Sequence, residues 1–207
     1  MKNLSKYIQE KLIIKKNRNV IKKNYNYNYF PKTREELKEI IEQRIFQEGN
    51  EVDLNDIDVS NITDMSGLFE FLDFNGDISQ WNVSKVKNMR LMFSESKSFN
   101  QDISDWNVSN VIDMSFMFNN CIKFNQDISK WDVSNTVDMS FMFNNCEAFN
   151  QDISSWNVSV VKDMSYMFHN CIKFNQDISK WNVSKVKNMF SMFDNCPIEE
   201  RYKPKFK

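Results

Sequence analysis

The chain has 207 residues, 41% of them hydrophobic, with a formal net charge of −1, four cysteines and three glycines. That is enough apolar material for a sizeable core. No apolar run is long enough for a membrane-spanning helix, and so few glycines argue against the glycine-rich turns of a calcium-binding β-roll.

The near-neutral total conceals two opposite parts. Residues 1–32 hold nine lysines or arginines and one acid, a net of +8, whereas residues 33–207 hold 18 basic and 27 acidic residues, a net of −9. Such asymmetry predicts a basic N-terminal tail with a partner of its own. Within it Leu4, Ile8 and Leu12 fall at i, i+4 and i+8, one apolar stripe on a short lysine-rich helix, and are the candidate docking residues of the tail. Tyr25, Tyr27 and Tyr29 alternate with asparagines as in a strand with one aromatic face. Nucleic acid or an anionic membrane surface is an expected partner only through this tail, which carries no recognised nucleic-acid-binding motif.

Residues 33–50 read as a capping helix. Thr33 and Glu36 have capping-box spacing, Leu37, Ile40, Ile41 and Ile45 form one face, and Gly49 suits a C-terminal cap.

From residue 51 to 196 the chain repeats. Trp81, Trp106, Trp131, Trp156 and Trp181 are 25 residues apart and are the only tryptophans. Each marks one copy of Phe-Asn-x-Asp-Ile-Ser-x-Trp-Asn/Asp-Val-Ser-x-Val-x-Asn/Asp-Met-x-x-Met-Phe-x-x-Cys, with full copies starting at Phe74, Phe99, Phe124, Phe149 and Phe174. A degenerate copy precedes them, with Ile57 in the tryptophan place. A fixed period of this size predicts units that bury their apolar faces only by stacking. Trp106 and Val108 alternate around Asn107, which predicts a short strand, and Met114, Met117, Phe118 and Cys121 at i, i+3, i+4 and i+7 predict a helix of about two turns, capped by Asp113. Residues 197–207 form a C-terminal tail that promises only a thin cap.

The spacing resembles the leucine-rich-repeat unit, with Ile, Trp and Val in the places of its leucines. More closely, F-N-x-D-I-S-x-W-N-V-S-x-V-x-x-M-x-x-M-F resembles the BspA-like repeat of bacterial surface proteins, also familiar from Mycoplasma lipoproteins and from large or gut-phage viral genomes. The expected fold is therefore an α/β repeat solenoid, leucine-rich-repeat-like, with one short parallel strand plus one short helix per 25-residue coil and about six coils. The resemblance implies binding or adhesion, and no reaction. Unlike the surface proteins, this chain has no visible signal peptide or lipoprotein cysteine, so a cytoplasmic or virion-associated location is expected unless a leader has been removed.

No feature requires enzyme chemistry or a cofactor. His169 is the single histidine, in a slot held elsewhere by Ser94, Asn119, Asn144 and Asp194, and reads as a surface residue. Asp77, Asp102, Asp127, Asp152 and Asp177 recur at one position; they read as acceptors for turn amides rather than a cation ladder, and no metal site is expected. The cysteines share one interior position and read as small core residues, the free thiols of a reducing compartment. The tryptophans read as core, their indole N–H groups served by a neighbouring Ser or Asn.

The expected function is a non-enzymatic protein-binding or adhesion-type module, recognising a protein or glycan through its polar strand face. Two alternatives stay open: a structural virion or surface component, and a nucleic-acid- or membrane-surface-associated protein acting through the tail. The candidate face comprises Gln80, Asp105, Lys130, Ser155 and Lys180, where variation clusters, together with Asn82, Asn107, Asp132, Asn157 and Asn182.

Overall fold

The computed structural model describes residues 27–206. From residue 51 onward the chain winds into stacked coils, each repeating the path of the one before. The tail residues Leu4, Ile8, Leu12 and Tyr25 lie outside the described residues.

Short polar side chains bend each coil. In the copy starting at Phe99, Asp102 accepts the Ser104 N–H at 3.0 Å, Asn107 the Ser109 N–H at 3.1 Å, and Asp113 the Ser115 N–H at 2.8 Å. These are Asx turns, in which a carboxylate or amide oxygen two residues back replaces a backbone acceptor. Tight turns close beside them, Trp106 N–H to the Ile103 carbonyl and Val111 N–H to that of Val108.

The α/β solenoid with a strand and a helix per coil is not what forms. The described residues hold one α-helix, α1 (Arg34–Glu48), one 3-10 turn (Glu200–Tyr202) and isolated parallel bridges such as Asp113 to Asp138, with no sheet. Where the helix was expected, the arc 113–121 is a chain of turns: Met117 N–H bonds the Met114 carbonyl, and Cys121 N–H that of Phe118. Phe116 and Asn120 take φ of 59°, the left-handed value of the third residue in a type II turn. Two such residues recur in every copy, and they break any α-helix.

The alternate N–H groups explain this preference. Met114, Phe116, Phe118 and Asn120 donate to the carbonyls of Asp138, Ser140, Met142 and Asn144 in the next coil, at 2.8 to 3.0 Å. A helix would spend these donors inside one coil, whereas the turn chain spends them on cohesion between coils. The same four bonds recur at each of five interfaces, from Met65–Phe71 to Met164–Asn170.

Identical side chains therefore stack in columns. Phe69, Phe93, Phe118, Phe143, Phe168 and Phe193 lie with successive ring centroids 5.3 to 5.9 Å apart and near-parallel. Ile103, Trp106, Val108, Val111, Met114, Met117, Phe118, Cys121 and Phe124 are all buried, filling one continuous core.

Helix α1 caps the N-terminal end. Thr33 accepts the Glu36 N–H, and Gly49, at φ 91°, sends its N–H to the Ile45 carbonyl. Leu37 and Ile41 are buried on the first coil, and Arg34 and Lys38 donate to the carbonyls of Ser66 and Gly67. Tyr29 bridges Ile57 beside it. At the other end, residues 197–206 cross the tryptophan side of the last coil, where the Tyr202 carbonyl accepts the Ile178 N–H. No helix among the described residues is long and apolar enough to cross a membrane.

Candidate functional site

The tryptophan column fixes what faces outward around it. Each indole is 3 to 5% exposed. Its N–H donates to a backbone carbonyl one coil back, Trp106 to Ile78, Trp131 to Ile103 and Trp156 to Ile128, at 3.1 to 3.2 Å. The partner is thus main chain, not the neighbouring Ser or Asn. With the ring pinned inward, the residue on either side is turned out.

All ten candidate residues, Gln80, Asn82, Asp105, Asn107, Lys130, Asp132, Ser155, Asn157, Lys180 and Asn182, are exposed. They form two columns with different chemistry. In the column after the tryptophan, Asn82, Asn107, Asp132, Asn157 and Asn182 each commit an oxygen to the N–H two residues on. In the column before it, Asp105, Lys130 and Lys180 make no hydrogen bond among the described residues, whereas Ser155 donates to the Ser129 carbonyl and Gln80 to Ser79. The groups available to a partner therefore sit in the column where the copies differ.

The recurring aspartates lie alongside. Hydrogen bonds from the Ser129 hydroxyl and N–H hold the Asp127 carboxyl below its usual range, and Ser134 and Ser154 do the same for Asp132 and Asp152. These are charged turn acceptors. A groove of about 500 Å³ runs between two coils here, lined by Asp102, Ser104, Asp105, Gln126, Asp127 and Lys130. The asparagines of the Phe-Asn pair tie coil to coil: Asn100 accepts the Asn125 N–H, and Asn125 the Asn150 N–H, both at 2.9 Å.

Other residues resolve into scaffold. Thiols of Cys121, Cys146 and Cys171 are buried and donate to the carbonyls of Phe93, Phe118 and Phe143; burial pushes all three well up from the ordinary thiol range. His169 is half-buried, with Nδ1 2.8 Å from Asn144 Oδ1, extending an amide ladder from Asn119. A second ladder runs from Glu95 through Asn120, Asn145 and Asn170 to Asn195.

Sequence reasoning missed one outer column. Phe116, Phe141 and Tyr166 stack with centroids 4.4 and 4.5 Å apart, and the Arg90 guanidinium lies 4.9 Å over Phe116. All three residues are left-handed, a conformation costly for bulky side chains. Their ring faces cover one another, so the column offsets backbone strain and offers no open stacking platform. The only advance sign was the recurrence of large side chains at a place treated as variable.

Cohesion carried by identical columns, repeated coil after coil, defines a repeat protein. The chain belongs to the family described as Mycoplasma protein of unknown function, DUF285, whose model matches residues 37–146 and 126–201. No curated protein matches it.

Proposed function

We propose that the chain is a non-enzymatic recognition module that engages a protein or a glycan through the columns flanking the tryptophans. One observation carries the reading: the exposed column Gln80, Asp105, Lys130, Ser155, Lys180 changes chemistry from coil to coil, and its charged members are not spent on internal hydrogen bonds among the described residues. Ser- and Asn-rich surroundings favour hydrogen-bonded recognition over apolar anchoring. The membership of a Mycoplasma repeat family agrees with a surface-presenting role.

The test is a glycan array and site-specific photo-crosslinking with the full chain. A variant inverted at the face (Asp105→Lys, Lys130→Glu, Lys180→Glu) is compared with a control inverted elsewhere (Lys87→Glu, Lys162→Glu). Binding lost only in the face variant supports the reading. Binding kept in the face variant, yet falling steeply with salt, would move recognition to the basic tail.

A further inference from the structure

The two ends of the stack present four half-faces, and three are covered. At the N-terminal end Tyr29 lies on the tryptophan side and α1 on the Met-Phe side; at the C-terminal end residues 197–206 take the tryptophan side. The fourth, the arc 188–195, is met among the described residues only by Lys203, whose ammonium lies 5.5 Å over the Phe193 ring. In every earlier coil the matching arc sends four N–H groups to the next coil, but those of Met189, Ser191, Phe193 and Asn195 have no partner among the described residues. Met189 and Phe190 are 43% and 65% exposed there. Phe190 occupies a slot filled by Ser66, Arg90, Ser115, Ser140 and Ser165 in the preceding coils, so an apolar side chain stands out at the last coil of the described residues.

The four unpartnered N–H groups of this edge stand beside one exposed carboxylate, that of Asp194. Backbone donors cannot pair with backbone donors, so they call for a partner that brings acceptors plus an apolar contact. The outward face of α1 has that chemistry. Glu35, Glu39, Glu42 and Phe46 fall at i, i+4, i+7 and i+11, opposite the buried Leu37 and Ile41. All four are exposed, Phe46 by 91%, and Glu39 has no ion-pair partner among the described residues. A 15-residue helix is about 22 Å long, enough to run along the donors from Met189 to Asn195, a stretch of six residue steps that spans at most about 20 Å. The exposed Lys185 and Lys187 beside the edge suit the glutamates.

We propose that the open edge 188–195 docks the outer face of α1 from a second copy of this chain. Glutamate carboxylates accept the orphaned N–H groups, and Phe46 packs against Met189 and Phe190. Neither surface must unfold or uncover anything to meet. The contact is heterologous, so each association leaves one helix face and one edge free, and growth is head to tail.

Sedimentation of the full chain across a concentration series tests it, with variants Phe46→Ser, at an exposed site, and Phe190→Ser, which gives up an edge contact with Tyr166 but restores the residue that Ser115, Ser140 and Ser165 hold in earlier coils. The wild-type mass should rise with concentration beyond two copies, while each variant alone stays at 24.8 kDa. Mixed one to one, the variants should pair and stop at twice that mass, because Phe190→Ser keeps a good helix and Phe46→Ser a good edge. A wild-type chain that stays monomeric, a variant that associates as well as wild type, or a mixture that pairs no better than its components overturns the proposal.

Discussion

The Ser96 hydroxyl donates to the Phe69 carbonyl at 2.7 Å, in the place where, one coil later, the Cys121 thiol donates to the Phe93 carbonyl at 2.9 Å. A serine is thus buried in a cysteine column without loss of its hydrogen bond. The position selects a small side chain with one donor rather than sulfur chemistry. Cys146→Ser should change stability by less than about 1 kcal/mol, whereas Cys146→Val removes the side-chain donor to the Phe118 carbonyl, which keeps the Cys121 N–H, and should cost about 0.5–1.5 kcal/mol. Urea denaturation of the two variants measures the difference.

The thiols should also differ in reactivity. Cys196 is half-buried at the open end, while Cys121, Cys146 and Cys171 are fully buried. A thiol reagent added to the native protein should modify one cysteine quickly and three slowly, with all four reacting after denaturation. Equal rates would show that the coils open together.

Replacing Trp131 by Ala removes a buried ring and its bond to the Ile103 carbonyl. The expected cost is ~3–5 kcal/mol, and because coils contact only their neighbours, unfolding should split into two transitions. Chemical denaturation followed by fluorescence of the remaining tryptophans checks both.

The 25-residue period and the buried positions were legible in the sequence, whereas the α/β solenoid expected from them did not form. Spacing of Met114, Met117, Phe118 and Cys121 fits one helical face, but two successive type II turns place the same side chains inward. The tie is broken by hydrogen bonds to residues 24 positions away, which no local window contains. Asn120, Asn145 and Asn170 were weak hints of left-handed backbone, since asparagine tolerates it; Phe116 and Phe141 gave no such hint. The ten face residues were legible as exposed because each adjoins a tryptophan that the core demands. The open edge was not, because it depends on which backbone donors find a successor.

The left-handed positions yield a direct comparison. Asn145, at φ 57°, also bonds Asn120 and Asn170 through its amide. Asn145→Ala should destabilise by about 1–2 kcal/mol, and Asn145→Gly by less, since glycine restores the backbone freedom while losing the same ladder. Thermal melts of the pair separate conformational strain from amide bonding.

Stability should fall in acid. Asp127, Asp132 and Asp152 have folded-state pKa values lowered first by serine hydroxyls and then by serine N–H groups. The unfolded chain therefore binds protons more readily, and the contribution of these turns is complete above the unfolded value of about 3.9 and lost as pH falls below it toward the lower folded values. Melting temperatures at pH 6 and pH 3 should differ, and Ser129→Ala should narrow the gap.

The coil-to-coil bonds of the Met-Phe arc also have an electrical consequence. At all five interfaces the four N–H groups point toward the C-terminal end, so their peptide dipoles add instead of cancelling as they do in most sheets. The negative pole emerges at the first coil, where Arg34 and Lys38 meet it; the positive pole emerges at residues 188–195. One flank of the stack is thus polarised like a broad helix, and every further copy of the 25-residue unit would lengthen that aligned array by one row.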